Sequence, residues 1–268
     1  MLIDVHAHFY TDRSGRADWR EVNARRLAAG DKIGITVHVG SILGSWGHRS
    51  PTYFPSPDDV RHANESMVQM QRAVPGRVFG YCVVNPNYPT HAKDEIVRGL
   101  DQGLVGIKLA ASRRADDPLL DPVASLAAER GVPVLHHVWQ HRRQDWPGQD
   151  ASDAVELARL ASRHPDADFI LAHLGGGGEW SHSLRAVMEP RNLWVDLSGS
   201  GVDVGMLESA LEMLGAERLI WGTDLTMDTG WAKLRYLKGL GCSESEMDLI
   251  GHGNAQRIFP TGIFDVGS

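Results

Sequence analysis

Two imidazoles one residue apart, His6 and His8, close an apolar run at the head of the chain that reads as a strand from Leu2 to Val5. Side chains two apart in a strand point the same way, so these ring nitrogens can converge on one point, as a metal ion requires. A strand tip that is merely solvated or paired with a carboxylate would carry the same trace, so the pair gains meaning from its company. That company is spread along the chain. Lys108 lies in "GIKL", His136 and His137 in "VPVLHHV", His173 in "FILAHLGGG" and Asp224 in "LIWGTDL". Imidazole and carboxylate ligands suit Zn2+ and tolerate Mn2+, Fe2+ or Co2+, and three or four protein ligands leave a position open.

These groups meet only if the strands that carry them end together. Eight apolar runs of strand length recur: "LIDVHA" at the start, then 34–40, 78–86, 105–111, 132–138, 168–175, 193–199 and 218–225. Between them lie amphipathic stretches such as "DDVRHANESMVQMQRAV", "AKDEIVRGLDQG", "PVASLAAERG" and "SDAVELARLASRHP". Several open on Asp or Ser and close on Gly or Pro, the usual helix punctuation. Strands alternating with helices imply βα units and a parallel sheet, and eight of them predict a (β/α)8 TIM barrel, one domain over 1–268. Catalytic groups of such barrels sit at the C-terminal strand ends, where every residue named above falls.

Composition narrows the function classes. The formal net charge of -7 disfavours nucleic acid and anionic membrane as partners, which leaves a small-molecule substrate. No apolar run reaches the ~18 residues of a membrane span. Two cysteines are too few for a disulfide framework or a thiolate cluster, and with no basic leader ahead of the first strand they suggest the cytoplasm. The sequence leaves room for a homo-oligomer. "GGGG" after His173 lacks the pattern of a phosphate loop, and His38 and the remaining histidines carry no chemical signal of their own.

The ordered set "IDVHAHF", "GIKL", "VPVLHHV", "FILAHLGGG", "LIWGTDL" and "GNAQRIF", with "HANESMVQMQRAVPGRVFGYCVVNP", resembles the amidohydrolase superfamily over nearly the whole chain. The likeness is greatest to the amidohydrolase-related branch that includes aminocarboxymuconate-semialdehyde decarboxylase. Spacing alone leaves His136 and His137 both open. The resemblance implies that His6, His8, His137 and Asp224 hold one divalent metal, most simply Zn2+, and that His173 and Asp224 move the proton. Elsewhere in the superfamily a carboxylated lysine on strand 4 bridges two metals, with His137 and His173 on the second. The branch resemblance instead implies one ion and an ordinary ammonium at Lys108. "GIKLAAS" lacks the His-Pro that often follows in the branch.

Two loops, "SILGSWGHRSPTYFPSP" after strand 2 and "WQHRRQDWPGQD" after strand 5, are rich in aromatic and basic residues. Aromatic faces pack planar ligands and Arg forks recognise carboxylates, so Trp46, Arg49, Trp139 and Arg142, with Lys108, are candidate substrate contacts. The expected activity is hydrolysis of a small organic acid, amide or lactone through a metal-activated water. The alternative is non-oxidative decarboxylation of an aromatic or muconate-like acid at the same site. A barrel that binds without catalysis is the third reading, and the intact set of strand-end ligands argues against it.

Overall fold

Helix punctuation in the sequence sets the element boundaries. Ser56 accepts a hydrogen bond from the Asp59 amide ahead of Pro57, Asp153 and Glu156 form a reciprocal capping box, and Gly34 and Gly131 end helices in the left-handed conformation. The structure is a computed structural model that describes residues 1–43, 50–139, 145–174, 179–199, 201–225 and 227–265. Its strands are β1 (Ile3–His8), β2 (Val37–Ser41), β3 (Val78–Val84), β4 (Gly106–Leu109), β5 (Val134–His137), β6 (Phe169–Ala172), β7 (Leu193–Asp196) and β8 (Leu219–Ile220). Helices α1 (Trp19–Ile33), α2 (Pro57–Ala73), α3 (Pro89–Asp101), α4 (Asp121–Arg130), α5 (Ala154–Arg163), α6 (Trp180–Ala186), α7 (Met206–Leu214) and α8 (Asp228–Gly239) alternate with them. Two short helices, α9 (Glu244–Asp248) and α10 (Asn254–Ile258), follow. The strands form one sheet in sequence order, every neighbouring pair parallel, as a (β/α)8 barrel requires. Strand 8 is shorter than its apolar run of 218–225, because the chain leaves β7 after Ile220 and crosses toward β1. Among the described residues no helix is long and apolar enough to cross a membrane.

Two apolar cores divide the strand side chains. Val37, Val39, Tyr81, Leu135, Ile170 and Ile220 meet inside the barrel, while Val134, Phe169, Leu171, Val195 and Leu219 pack outward against the helices. Strand β1 supplies both cores in an order that strict alternation forbids. Ile3 and Val5 join the inner core, whereas Ala7 and Phe9 join the outer one. The cause is a bulge: Asp4 pairs with His38 and Ala7 with Gly40, so three steps on β1 match two on β2. An extra residue of this kind re-aims everything beyond it, and here it turns His6 and His8 into the barrel mouth.

The opposite end is closed by the C-terminal segment, where Ala255, Ile258, Phe259 and Phe264 enter the inner core. Phe264 packs edge-on against Phe79 and Phe259 at centroid distances of 5.3 and 5.2 Å. The seam between β8 and β1 is joined by Val5 N–H donating to the Trp221 carbonyl at 3.2 Å and Asp224 N–H to the His6 carbonyl at 2.6 Å. Asp4 clamps it from the helix side, its carboxylate accepting from the Thr223 amide and hydroxyl at 2.9 and 2.6 Å and from Arg26 at 3.1 Å.

Candidate metal centre

His6 and His8 present their Nε2 atoms to one another at 3.1 Å, and the reason lies behind each ring. His6 Nδ1 faces Asp196 Oδ2 at 2.6 Å, and His8 Nδ1 faces the Ser41 carbonyl at 3.4 Å and its hydroxyl at 3.1 Å. A carboxylate or carbonyl holds the ring proton on Nδ1 and leaves the lone pair on Nε2. On the far side of His8, Asp224 Oδ1 lies 3.0 Å from Nε2, and 3.8 Å from that of His6. His8 therefore has acceptors at both nitrogens. Burial lowers its pKa, and that of His6 still more with the help of the Lys108 charge, so neither ring carries a second proton at neutral pH. A cluster of lone pairs short of a proton is what a divalent cation satisfies, and two imidazoles with a carboxylate are a fitting donor set.

Donor atoms of His6, His8 and Asp224 all lie within 4.8 Å of one another. His137 stands outside that cluster. Its Nδ1 meets His173 Nε2 at 3.3 Å, and its buried Nε2 has no hydrogen-bond partner among the described residues, which leaves a lone pair available. Leu135 in the inner core and Val134 in the outer one fix the phase of β5, so His137 faces the lumen and His136 the helices. His6, His173 and Asp196 also lie within 4.8 Å, but there Asp196 addresses the far nitrogen of His6 and acts as a buttress.

His173 and Asp224 share an unusual backbone. Both adopt positive φ, 70° and 64°, a region that costs a residue with a Cβ and that recurs at functional sites. His173 directly follows β6, and Asp224 lies four residues past β8, where it bridges to Ala7 of β1. Asp224 Oδ2 lies 3.9 Å from His173 Nε2. Burial pushes the Asp224 pKa up, but His173, His8 and His6 outweigh it and hold the carboxyl well below its usual range. Burial, reinforced by Lys108, lowers the His173 pKa to about 4. Asp196 is pushed up to about 7 by burial, against the hydrogen bonds of Ser198.

Lys108 is fully buried, its pKa lowered by burial to about 8 against the pull of Asp224 and Asp196. Its Nζ lies 2.9 Å from His6 Nε2, so ammonium and metal would address the same lone pair. Trp139 approaches His137 edge-on at 5.5 Å between centroids, Tyr53 lies 6.0 Å from His137, and the two aromatic rings are 6.5 Å apart. Trp46, Arg49 and Arg142 lie outside the described residues. The sequence reading passed over Asp196 and Ser198. Both stand in "LWVDLSG", and the strand-end test that singled out the histidines would have found them on strand 7.

Comparison with known proteins follows the same lines. No curated protein matches the chain. Among solved structures, 2,6-dihydroxybenzoate decarboxylase from Rhizobium is 20% identical with a TM-score of 0.72, over 96% of this chain and 98% of that one. The 5-carboxyvanillate decarboxylase of Sphingomonas paucimobilis gives 20%, 0.70, and the same 96% and 98%. A dihydroxybenzoic acid decarboxylase from Polaromonas, with bound manganese and the inhibitor 2-nitroresorcinol, gives 19%, 0.72, and 96% of each chain. At these identities the likeness is one of fold. The amidohydrolase family model matches residues 3–261, nearly the whole length, and the chain belongs to the amidohydrolase family.

Proposed function

We propose that this protein is a divalent-metal-dependent enzyme that decarboxylates a planar aromatic or unsaturated acid without an oxidant. The observation that carries the reading is the aromatic wall of Tyr53 and Trp139 around His137, beside the converging donors of His6, His8 and Asp224. Such a wall packs a flat ring and holds its plane over the ligands. The substrates that name the fold-similar decarboxylases, dihydroxybenzoate and carboxyvanillate, have that shape and support the choice over the hydrolase first expected.

In this reading His6, His8, His137 and Asp224 hold one ion. We take it as Zn2+, with Mn2+ the other candidate, since a fold-similar decarboxylase binds manganese. When bound, the ion supplies Lewis acidity that draws charge off substrate oxygens. His173 and Asp224, facing each other at 3.9 Å, would relay a proton to the substrate carbon. The electron pair of the breaking bond to the carboxylate then returns to the ring as CO2 leaves. Lys108, with Trp46, Arg49 and Arg142 of the two loops and Trp139, would contact the substrate. The two free cysteines suit a reducing compartment, and we place the enzyme in the cytoplasm.

Membership of the amidohydrolase family favours hydrolysis of a lactone or amide as the second reading. A panel of dihydroxybenzoates and carboxyvanillate, set beside lactones and amides, separates the two. CO2 release from an aromatic acid, lost about 10²- to 10⁴-fold in His173→Asn with metal retained, is the expected result. Turnover of lactones alone would overturn it.

A further inference from the structure

We infer that Ser198 is a positioning residue that fixes the tautomer of His173. Ser198 lies two residues beyond Asp196, the last residue of β7. Its amide donates to Asp196 Oδ1 at 2.6 Å and its hydroxyl to Asp196 Oδ2 at 2.5 Å. A hydroxyl has one proton and two lone pairs. With the proton committed to Asp196, the oxygen can only accept from His173 Nδ1, 3.2 Å away. His6 Nδ1 is also near, at 2.9 Å, but it has the shorter contact with Asp196 at 2.6 Å.

A second observation concerns the surroundings of that nitrogen. Gly199 has a φ of 52°, and a Cβ there would stand 2.3 Å from His173 Nδ1. The bare backbone thus comes close to this edge of the ring, where among the described residues the serine oxygen is the hydrogen-bond partner of Nδ1. The turn itself is pinned from α8, where buried Lys233 donates to the carbonyls of Ser198 and Gly199 at 3.2 and 2.5 Å. The hydrogen bonds then run in one direction. His137 Nδ1–H donates to His173 Nε2, His173 Nδ1–H to Ser198, and Ser198 to Asp196. Held this way, His173 is an acceptor at Nε2, which meets His137 at 3.3 Å and lies 3.9 Å from Asp224 Oδ2.

The tautomer is a property of the folded protein, whereas its effect on rate rests on the role proposed above for His173. The two are therefore tested separately. In Zn2+-loaded protein labelled with 15N-histidine, the His173 nitrogen shifts should report Nδ1–H in the wild type. Ser198→Ala should give a mixture or Nε2–H, and Ser198→Thr should restore the original pattern. On a substrate found by the panel, Ser198→Ala should lower kcat about ten- to a hundredfold, with KM changed less than about threefold and metal content intact. A wild-type His173 protonated on Nε2 overturns the inference, even if Ser198→Ala fails to fold. So does an alanine variant whose His173 signals are unchanged. If the wild type decarboxylates nothing on the panel, the functional reading falls and the NMR result still decides the role of Ser198.

Discussion

A neutral imidazole has one proton and two nitrogens, and at His8 both nitrogens face oxygen acceptors. That imbalance is why the His6→Ala, His8→Ala double variant should lose its metal while the barrel stays folded, as metal analysis beside circular dichroism would show. Full metal occupancy in the double variant would sink the ligand assignment. Lys108 allows a sharper test, since its ammonium points at the lone pair that an ion would use. Lys108→Ala should bind one ion at least as tightly as the wild type and mainly raise KM. Bicarbonate should give no activation. Loss of an ion would mean a carboxylated lysine bridging two metals. These residues were legible because each stands at the end of an apolar run with a side chain that binds metal or protons. Asp196 and Ser198 matter through the nitrogens behind the ligands. Nothing in their own spacing says which ring they address.

Single elements carry information that hydrophobic period alone does not. The period marked all eight strands but left His136 and His137 both open, and only the packing of Val134 outward and Leu135 inward sets the phase that faces His137 into the lumen. The bulge in β1 was invisible, because one extra residue changes the phase of a strand without changing its composition. The packing of α2 and α3 on β3 shows the same limit. Buried Glu95 on α3 accepts from Arg98 on its own helix at 3.0 Å and from Arg61 and Asn64 on α2 at 2.6 and 3.1 Å. Burial pushes its pKa up, but Arg98, Asn64 and Arg61 more than offset this and leave it below the ordinary value. A lowered acid stabilises the fold above its unfolded pKa of about 4.3 and loses that contribution as pH falls through the lower folded value. Glu95→Gln should therefore cost about 1–3 kcal/mol in urea unfolding at pH 7. The gap to wild type should narrow below about pH 4. An equal cost at pH 7 and pH 3 would show that shape, and not charge, is what Glu95 supplies.

The whole molecule separates stability from chemistry along the barrel axis. Donors gather at the C-terminal strand ends, while Phe259 and Phe264 plug the other end against Phe79 and Tyr81. Phe264→Ala should cost about 3–5 kcal/mol in unfolding experiments. Metal stoichiometry should not change, and a variant that lost its metal without losing stability would contradict the division. The barrel itself was readable from repeated strand and helix runs. The plug was not, because "GNAQRIF" and the phenylalanine beyond it are too short a stretch to reveal which end of a closed sheet they fill.

The seam between β8 and β1 bears on the order in which the chain folds. Neighbouring strands elsewhere are joined by one crossover, but Thr223 and Asp4 meet across 219 positions. Long-range contacts form late because chain entropy must be lost before they are rewarded. Seven local pairings can therefore assemble ahead of the eighth junction, and that junction is the natural place for the ring to breathe open. An ion held by His6 and His8 on one side and Asp224 on the other would tie the first strand to the last. Stripping it should speed amide exchange at Val5 and Asp224, whose N–H groups cross the seam, far more than at Ile107 or Phe169, which bridge local neighbours. Equal acceleration at all four amides would mean that the barrel opens as a unit.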